Sequence, residues 1–321
     1  MSADASAVTP AAGDHPVRTG PTGDVIVAVD ISGDRLSVGL VTMHGELIDR
    51  GDVVVDHDVN ADRLFGSLKE LVDDQLARAR EHHNLRPVAV GVSCVGPVQP
   101  NCEVISPPTI HAWRNFAMRE RLANVAMLPV YGDLDAKALA LAEGWLGAAQ
   151  GRQNFLAMVV SAGVSGGVVL NGQLLDGADG NAGHVGHIIV EPNGRRCSCG
   201  ARGCLDAEAS GAAIEVITGR ALSEPTYEIM QRTGRLVGRA VASVCNVLDL
   251  DLAVVGGTVA TSFSATFFNS AQETLDEHTR LSFTRGARIT PARLGDRGPL
   301  IGAGAMAIRG VHRARRRRAT A

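Results

Sequence analysis

Four side chains that favour soft metal ions crowd one short stretch of the chain. His187, Cys197, Cys199 and Cys204 place one imidazole and three potential thiolates within eighteen residues, a complete tetrahedral donor set for zinc. Four protein ligands leave no position for water, so such an ion is structural and fixes a loop rather than activating a nucleophile. The alternative is three packed thiols beside an unrelated histidine. It is weakened by Gly200 and Gly203, which let backbone wrap round an ion. Cys94, Cys102 and Cys245 read as packed thiols. The first 20 residues lack the basic start and apolar core of an export signal, so the cysteine cluster points to metal rather than to disulfides.

A second chemistry is suggested by glycine-rich turns that close apolar runs. Val25-Ile26-Val27-Ala28-Val29 is a continuous apolar run ending on Asp30, the pattern of a strand buried on both faces. The loop Ile31-Ser32-Gly33-Asp34 follows, then a run from Leu36 to Thr42, a turn at His44-Gly45 and a run through Val53-Val54-Val55. The same grammar returns from Phe155, with Leu156 to Val160, the loop Ser161-Ala162-Gly163-Val164-Ser165-Gly166-Gly167, Val168 to Leu170, the turn Asn171-Gly172 and Gln173 to Leu175. This predicts an internal duplication: two lobes whose loops face one cleft suited to a polyphosphate. Glycine after a strand is common, so either loop alone carries little weight.

The elements that must position these groups follow from periodicity. Leu64, Phe65, Leu68, Leu71, Val72 and Leu76 fall at helical spacing, and Val88 to Ser93 reads as another buried strand closing on Gly96-Pro97. An Ala-rich helix is predicted from about Asp135 to Gly147, where Asp135 alone reads as an acid suited to the free amides of a helix start. Leu236, Val237, Ala240, Val241, Val244 and Leu248 make a further helical stripe before the strand Leu252-Ala253-Val254-Val255 and the loop Gly256-Gly257-Thr258. Trp113 and Trp145 read as core packing.

The chain has 321 residues, with 45% hydrophobic, 20% charged and 3% aromatic residues and 37 Gly, which excludes wholesale disorder and fits a two-domain α/β protein. We expect a disordered leader over 1–23, one lobe over 24–150, a second with the metal loop over 151–300, and a closing helix with a basic tail over 301–321. The formal charge is −3, but Arg313, Arg315, Arg316, Arg317 and Arg318 crowd the end, so the rest of the chain carries −8. That balance argues against nucleic acid as a partner, and the basic tail reads as a solvated, disordered end. No apolar run is long enough to span a bilayer. We expect a cytoplasmic protein with no membrane partner.

The stretch Gly183-His184-Val185-Gly186-His187 followed by Cys197-Ser198-Cys199-Gly200-Ala201-Arg202-Gly203-Cys204-Leu205-Asp206 resembles the zinc signature of the ROK family of bacterial sugar kinases and repressors. The resemblance runs from Asp24 over nearly the whole chain. It includes Gly91-Val92-Ser93-Cys94-Val95-Gly96-Pro97-Val98, Trp113, Asp135-Ala136 eight residues before Glu143, Val255-Gly256-Gly257 and Leu294-Gly295-Asp296. It implies the two-lobed actin-like, hexokinase-like ATPase fold, with duplicated mixed-sheet domains, flanking helices and a structural zinc loop.

It also implies ATP with Mg²⁺ in the cleft, a hexose or amino sugar as substrate, and Asp135 as the general base that takes a proton from the sugar hydroxyl. His184, His187, Asp206 and Thr109 take the sugar-binding positions. Asp30, Gly33, Arg35, Gly163, Gly166, Gly167, Gly256 and Gly257 take the nucleotide-binding ones. Relatives are commonly homodimers, and the repressors carry a helix-turn-helix region ahead of the first strand, where only 23 residues stand here. The sequence leaves the choice of donor between ATP and polyphosphate open.

Several positions depart from the family's pattern. Leu134 stands where Asn is usual, Thr109 where Asn is frequent, His184 and Asp206 where Glu is usual, and Asp34 and Ala162 each replace a Thr of a phosphate loop. Leu134 can neither donate nor accept a hydrogen bond through its side chain. A second expectation therefore stands beside the kinase: a sugar-binding sensor of the same fold with weak or no turnover.

Overall fold

The computed structural model describes residues 22–320, with side chains to residue 316. The expected leader lies outside the described residues except for Thr22 and Gly23. Two five-stranded sheets share one plan. The first contains β1 (Gly23–Ile31), β2 (Arg35–Thr42), β3 (Leu47–Val54), β4 (Leu85–Cys94) and β5 (Val130–Leu134), in the order β3-β2-β1-β4-β5. The second contains β6 (Phe155–Val160), β7 (Val164–Leu170), β8 (Gln173–Leu174), β9 (Leu252–Gly256) and β10 (Arg288–Pro291), in the order β8-β7-β6-β9-β10. In each sheet an antiparallel triplet is extended by two parallel strands. The duplication is present strand for strand.

The helices are α1 (Ala61–Glu81), α2 (Met118–Ala126), α3 (Asp135–Leu146), α4 (Leu205–Ala209), α5 (Gly211–Thr218), α6 (Tyr227–Leu248), α7 (Thr258–His278) and α8 (Gly298–Thr320). Asn60 starts α1 by accepting a hydrogen bond from the Arg63 amide at 2.9 Å. The stripe Leu64, Phe65, Leu68, Val72 and Leu76 then packs on the first sheet.

β1 reads as a continuous apolar run because both of its faces are covered. Val25, Val27, Val29 and Ile31 join the core under α1 and α2. The alternate residues Ile26 and Ala28 meet Ala307, Ala303 and Leu300 of α8. Asp30 is next on that second face and belongs to none of these apolar contacts.

The closing helices cross between lobes. α3 follows the first sheet, yet its Leu139 and Ala140 pack with Phe155, Ala157 and Val169 of the second. α8 follows the second sheet and returns to the first. Ala142 of α3 touches Ile301 of α8, which ties the pair together. The basic end, expected above as a disordered tail, is instead part of α8, which begins at Gly298 rather than 301. A helix nucleated by buried Leu300 to Val311 propagates through arginines, which are good helix formers. Arg309 and Arg313 also pair with Asp176 at 3.0 and 3.1 Å. Among the described residues no helix is long and apolar enough to cross a membrane.

Candidate active site and metal loop

Strand register builds a polar row across the first sheet. Asp52, Ser37, Asp30, Ser93 and Asp133 stand side by side on β3, β2, β1, β4 and β5. Asp30, at the centre, is only 7% exposed. Burial pushes its carboxyl up to about 7, the neighbouring Ser93 hydroxyl offsets part of that rise, and the charge of Asp135 adds to it. At the outer edge Asp52 is held below the usual carboxylate range, against a burial effect that raises it, by Arg50 and Ser37.

Asp135 opens α3 directly behind Leu134, whose side chain caps nothing. Its Oδ1 accepts from the Ala136 amide and from the Ser165 hydroxyl, both at 2.7 Å. The acid therefore does serve the helix start, and it also reaches β7 of the other lobe. Both bonds end on Oδ1, so Oδ2 is left for another donor. Burial raises the Asp135 pKa, offset in part by Ser165 and the Ala136 amide. Such a carboxylate is a stronger base than one in water. Sequence reasoning missed Ser165 as its partner, because the two lie 30 residues apart and only the fold joins them.

The glycine loops divide into two kinds. Gly33 lies against Thr109, whose buried Oγ1 has no hydrogen-bond partner among the described residues. Arg35 is exposed, and its carbonyl accepts from the Ser32 amide and hydroxyl at 3.1 Å. Gly163 belongs to the short turn after β6, beside Asp206, whose Oδ1 accepts from the Val164 amide at 2.8 Å. Gly257 has φ +101°, and a Cβ there would stand 2.4 Å from the Val160 carbonyl. Ser161 and Thr258 join the turns after β6 and β9 through their hydroxyls at 2.8 Å. Gly257 gives α7 no side-chain cap, and α7 breaks at Ser264, so the first amides of its short opening segment are available to an anionic phosphate.

Gly166 and Gly167 differ from the expected loop assignment, because both lie inside β7. A Cβ on Gly167 would meet the Ala136 carbonyl at 2.6 Å, and one on Gly166 would meet Val185 at 2.7 Å. These glycines let α3 and the 183–185 segment approach the strand. They shape the site by packing.

The metal donors come together as expected. The ligand atoms of His187, Cys197, Cys199 and Cys204 all lie within 4.8 Å of one another. His187 Nδ1 is 3.6 Å from Cys197 Sγ, and Cys199 Sγ is 3.7 Å from Cys204 Sγ. A tetrahedron with Zn–S near 2.3 Å and Zn–N near 2.05 Å has edges of about 3.5 to 3.8 Å, so the donor set suits such an ion. The sulfur separation is far beyond a disulfide bond of about 2.05 Å. Burial, with its sulfur neighbours, pushes Cys204 up to about 12, so a thiolate there calls for a cation. Cys94, Cys102 and Cys245 are buried and free.

The loop is tied to both halves of the site. Glu208, buried on α4, accepts from the Arg195 amide of the loop and from Arg232 of α6, each at 2.5 Å. Asp206, two residues before it in the same helix, holds the start of β7. His184 stacks on His187 with ring centres 6.1 Å apart. Burial, then His187 and Lys137, lower the His184 pKa. His187 directs Nδ1 at the sulfur cluster and meets His184 through this stack.

Sequence reasoning gave no role to two buried charges. Glu143 accepts from the Ala148, Arg293 and Leu294 amides at 2.6, 2.9 and 2.9 Å. It fixes the turns at both ends of the α3 and α8 crossing. Lys137 is fully buried on α3. Its signal in the sequence is a lone cation within Ala136-Lys137-Ala138-Leu139-Ala140.

Comparison with known proteins places this geometry. The model of the ROK family matches residues 26–309. A glucokinase of Halalkalibacterium halodurans is 26% identical over 311 residues, covering 87% of this chain and 93% of the relative. An N-acetylmannosamine kinase of Escherichia fergusonii is 28% identical over 249 residues, covering 73% of this chain and 82% of the relative. The ROK hexokinase of Thermus thermophilus superposes with a TM-score of 0.78 at 30% identity, covering 90% of this chain and 99% of that one. The two-lobed actin-like ATPase fold and the cysteine-rich loop coincide with this likeness, and the chain belongs to the ROK family.

Proposed function

We propose that the protein transfers the terminal phosphoryl group of ATP to a hydroxyl of a hexose or amino sugar. The observation that carries this reading is Asp135: a carboxyl with a raised pKa, held through one oxygen by Ser165 and Ala136, with the other oxygen open. The glucokinase and N-acetylmannosamine kinase relatives support the sugar class. Asp135 would orient the attacking hydroxyl in line and accept its proton, a modest demand because phosphoryl transfer is mostly positioning and charge stabilisation. Mg-ATP, when bound, supplies the phosphoryl group and a divalent charge that favours the ionised form of Asp30.

On this reading Asp30 would hold the magnesium ion, and Gly33, Gly163, Gly256 and Gly257 would present backbone to the phosphates. Arg35 would meet their outer edge. His184, Asp206 and Thr109 would line the sugar side. Zinc in the His187, Cys197, Cys199 and Cys204 set would hold that side in place.

The test is a coupled ADP-release assay over hexoses and amino sugars with the metal loop loaded, comparing wild type with Asp135→Asn. We expect turnover with at least one sugar and a loss of at least about 100-fold in the variant. Equal rates would remove Asp135 as the base. The second reading, a sugar-binding sensor, is motivated by Leu134, which is buried and offers the sugar no side-chain hydrogen bond. It requires sugar binding by calorimetry together with silence in the ADP assay.

A further inference from the structure

We propose that Lys137 is a positioning residue that latches the 176–184 loop, and with it His184, onto the helix carrying Asp135; this deepens the kinase reading and rests on it. Lys137 is 0% exposed. Its Nζ lies 3.0 Å from Asp133 Oδ2 and 2.5 Å from the Gly180 carbonyl. An ammonium in an apolar helix carries a desolvation cost of several kcal/mol unless it is paired and hydrogen-bonded. Neutralising Asp133 is not sufficient reason for it. That carboxylate already accepts from the Leu134 amide at 2.9 Å, and its side chain is 21% exposed to water.

The Gly180 carbonyl is the partner that comes from the other lobe. Gly180 adopts φ +79° and brings its Cα close to Pro100 of the first lobe, so the loop tip lies across the junction. The loop is held at three points. At its start, Asp176 accepts from Arg309 and Arg313 of α8, and the Asp176 carbonyl accepts from the Ala182 amide at 3.0 Å. At its tip stands Lys137. At its end, Gly183 lies against Gly166 of β7, next to His184.

Only the middle point depends on one side chain set two residues from the proposed base. Releasing it frees the loop over the sugar side while leaving Asp135, the phosphate turns and the metal donors in place. Sugar affinity, rather than the chemical step or nucleotide affinity, is what the latch controls.

The test separates the latch from simple charge neutralisation. Lys137→Met strands Asp133 and loses stability on that account alone, so the decisive protein is the double variant Lys137→Met, Asp133→Asn. It has no unpaired charge and keeps the acceptor for Leu134. We expect its melting temperature to return close to wild type, its sugar KM to rise about tenfold, and kcat and ATP KM to stay within about threefold. Amides of 176–184 should exchange about tenfold faster, while those of 196–204 are unchanged.

Wild-type sugar KM and wild-type exchange in the double variant would overturn the proposal, since Lys137 would then only neutralise Asp133. A parallel change in sugar KM, ATP KM and kcat with a lowered melting temperature would overturn it as well, showing a general structural role. If no sugar is turned over even by wild type, the kinase reading fails, and the exchange measurement still decides whether Lys137 holds the loop.

Discussion

Asp30 is costly to the fold, and the cost has a pH signature. Its carboxyl titrates near 7 in the folded chain against an ordinary value of 3.8. A carboxyl whose folded pKa is raised binds its proton more tightly when folded. Stability from this group is therefore highest at low pH and is lost as pH rises from the unfolded pKa through the folded one. At 1.36 kcal/mol per pH unit, the gap between the two values is worth about 4 kcal/mol once both states are ionised. Asp30→Asn removes the titration and keeps the shape.

Urea unfolding of wild type and Asp30→Asn should therefore diverge with pH. The variant is expected to be more stable by about 2 kcal/mol at pH 5 and about 4 kcal/mol at pH 8. On the kinase reading turnover should fall at the same time, because Asn would not replace an ionised ligand for magnesium. Groups held below the usual carboxylate range, such as Asp49, Asp52 and Asp176, titrate in both proteins and cancel from the difference. A stability difference that does not change between pH 5 and pH 8 would refute the reasoning, as would a less stable variant at pH 8. The Asp135 charge contributes to the rise in Asp30, so Asp135→Asn should lower the Asp30 pKa and narrow the same gap.

Two further outcomes follow from the metal loop and from Glu143. Purified protein should contain about one zinc per chain, and Cys199→Ser should destabilise it by at least about 3 kcal/mol by unfolding midpoint, because metal binding is folding free energy for such a loop. Nucleotide affinity should weaken along with it through Asp206 and the Val164 amide; unchanged stability in metal-free protein would dismiss the structural role. Glu143→Gln should cost about 2 to 4 kcal/mol in urea unfolding, since an amide nitrogen then faces backbone N–H groups that both carboxylate oxygens now accept. A change below about 0.5 kcal/mol would show that these turns hold without it.

What the sequence reveals depends on how local the physics is. The metal set is legible because its spacing in the chain is close to its spacing in space: Cys197, Cys199 and Cys204 reach one point through a single loop. β1 to β3 and β6 to β8 are legible because apolar runs and tight turns fix antiparallel neighbours. The crossing of α3 and α8 is not legible. An Ala-rich helix shows that several of its faces are buried, but its composition is the same whether it packs on the sheet before it or the one after. The glycines show the same limit more sharply. Gly166-Gly167 and Gly256-Gly257 both state that backbone must come close to something. In β7 that something is the start of α3, whereas at Gly257 it is the Val160 backbone on one side, with the first amides of α7 left open on the other. The residue type records the closeness of approach, and only the fold supplies the neighbour. Lys137 is the converse case: the sequence reading passes over it, although its isolation among alanines is a signal that could have marked it. A buried cation states a requirement that packing alone cannot meet, and Asp133 together with the Gly180 carbonyl of the other lobe meets it.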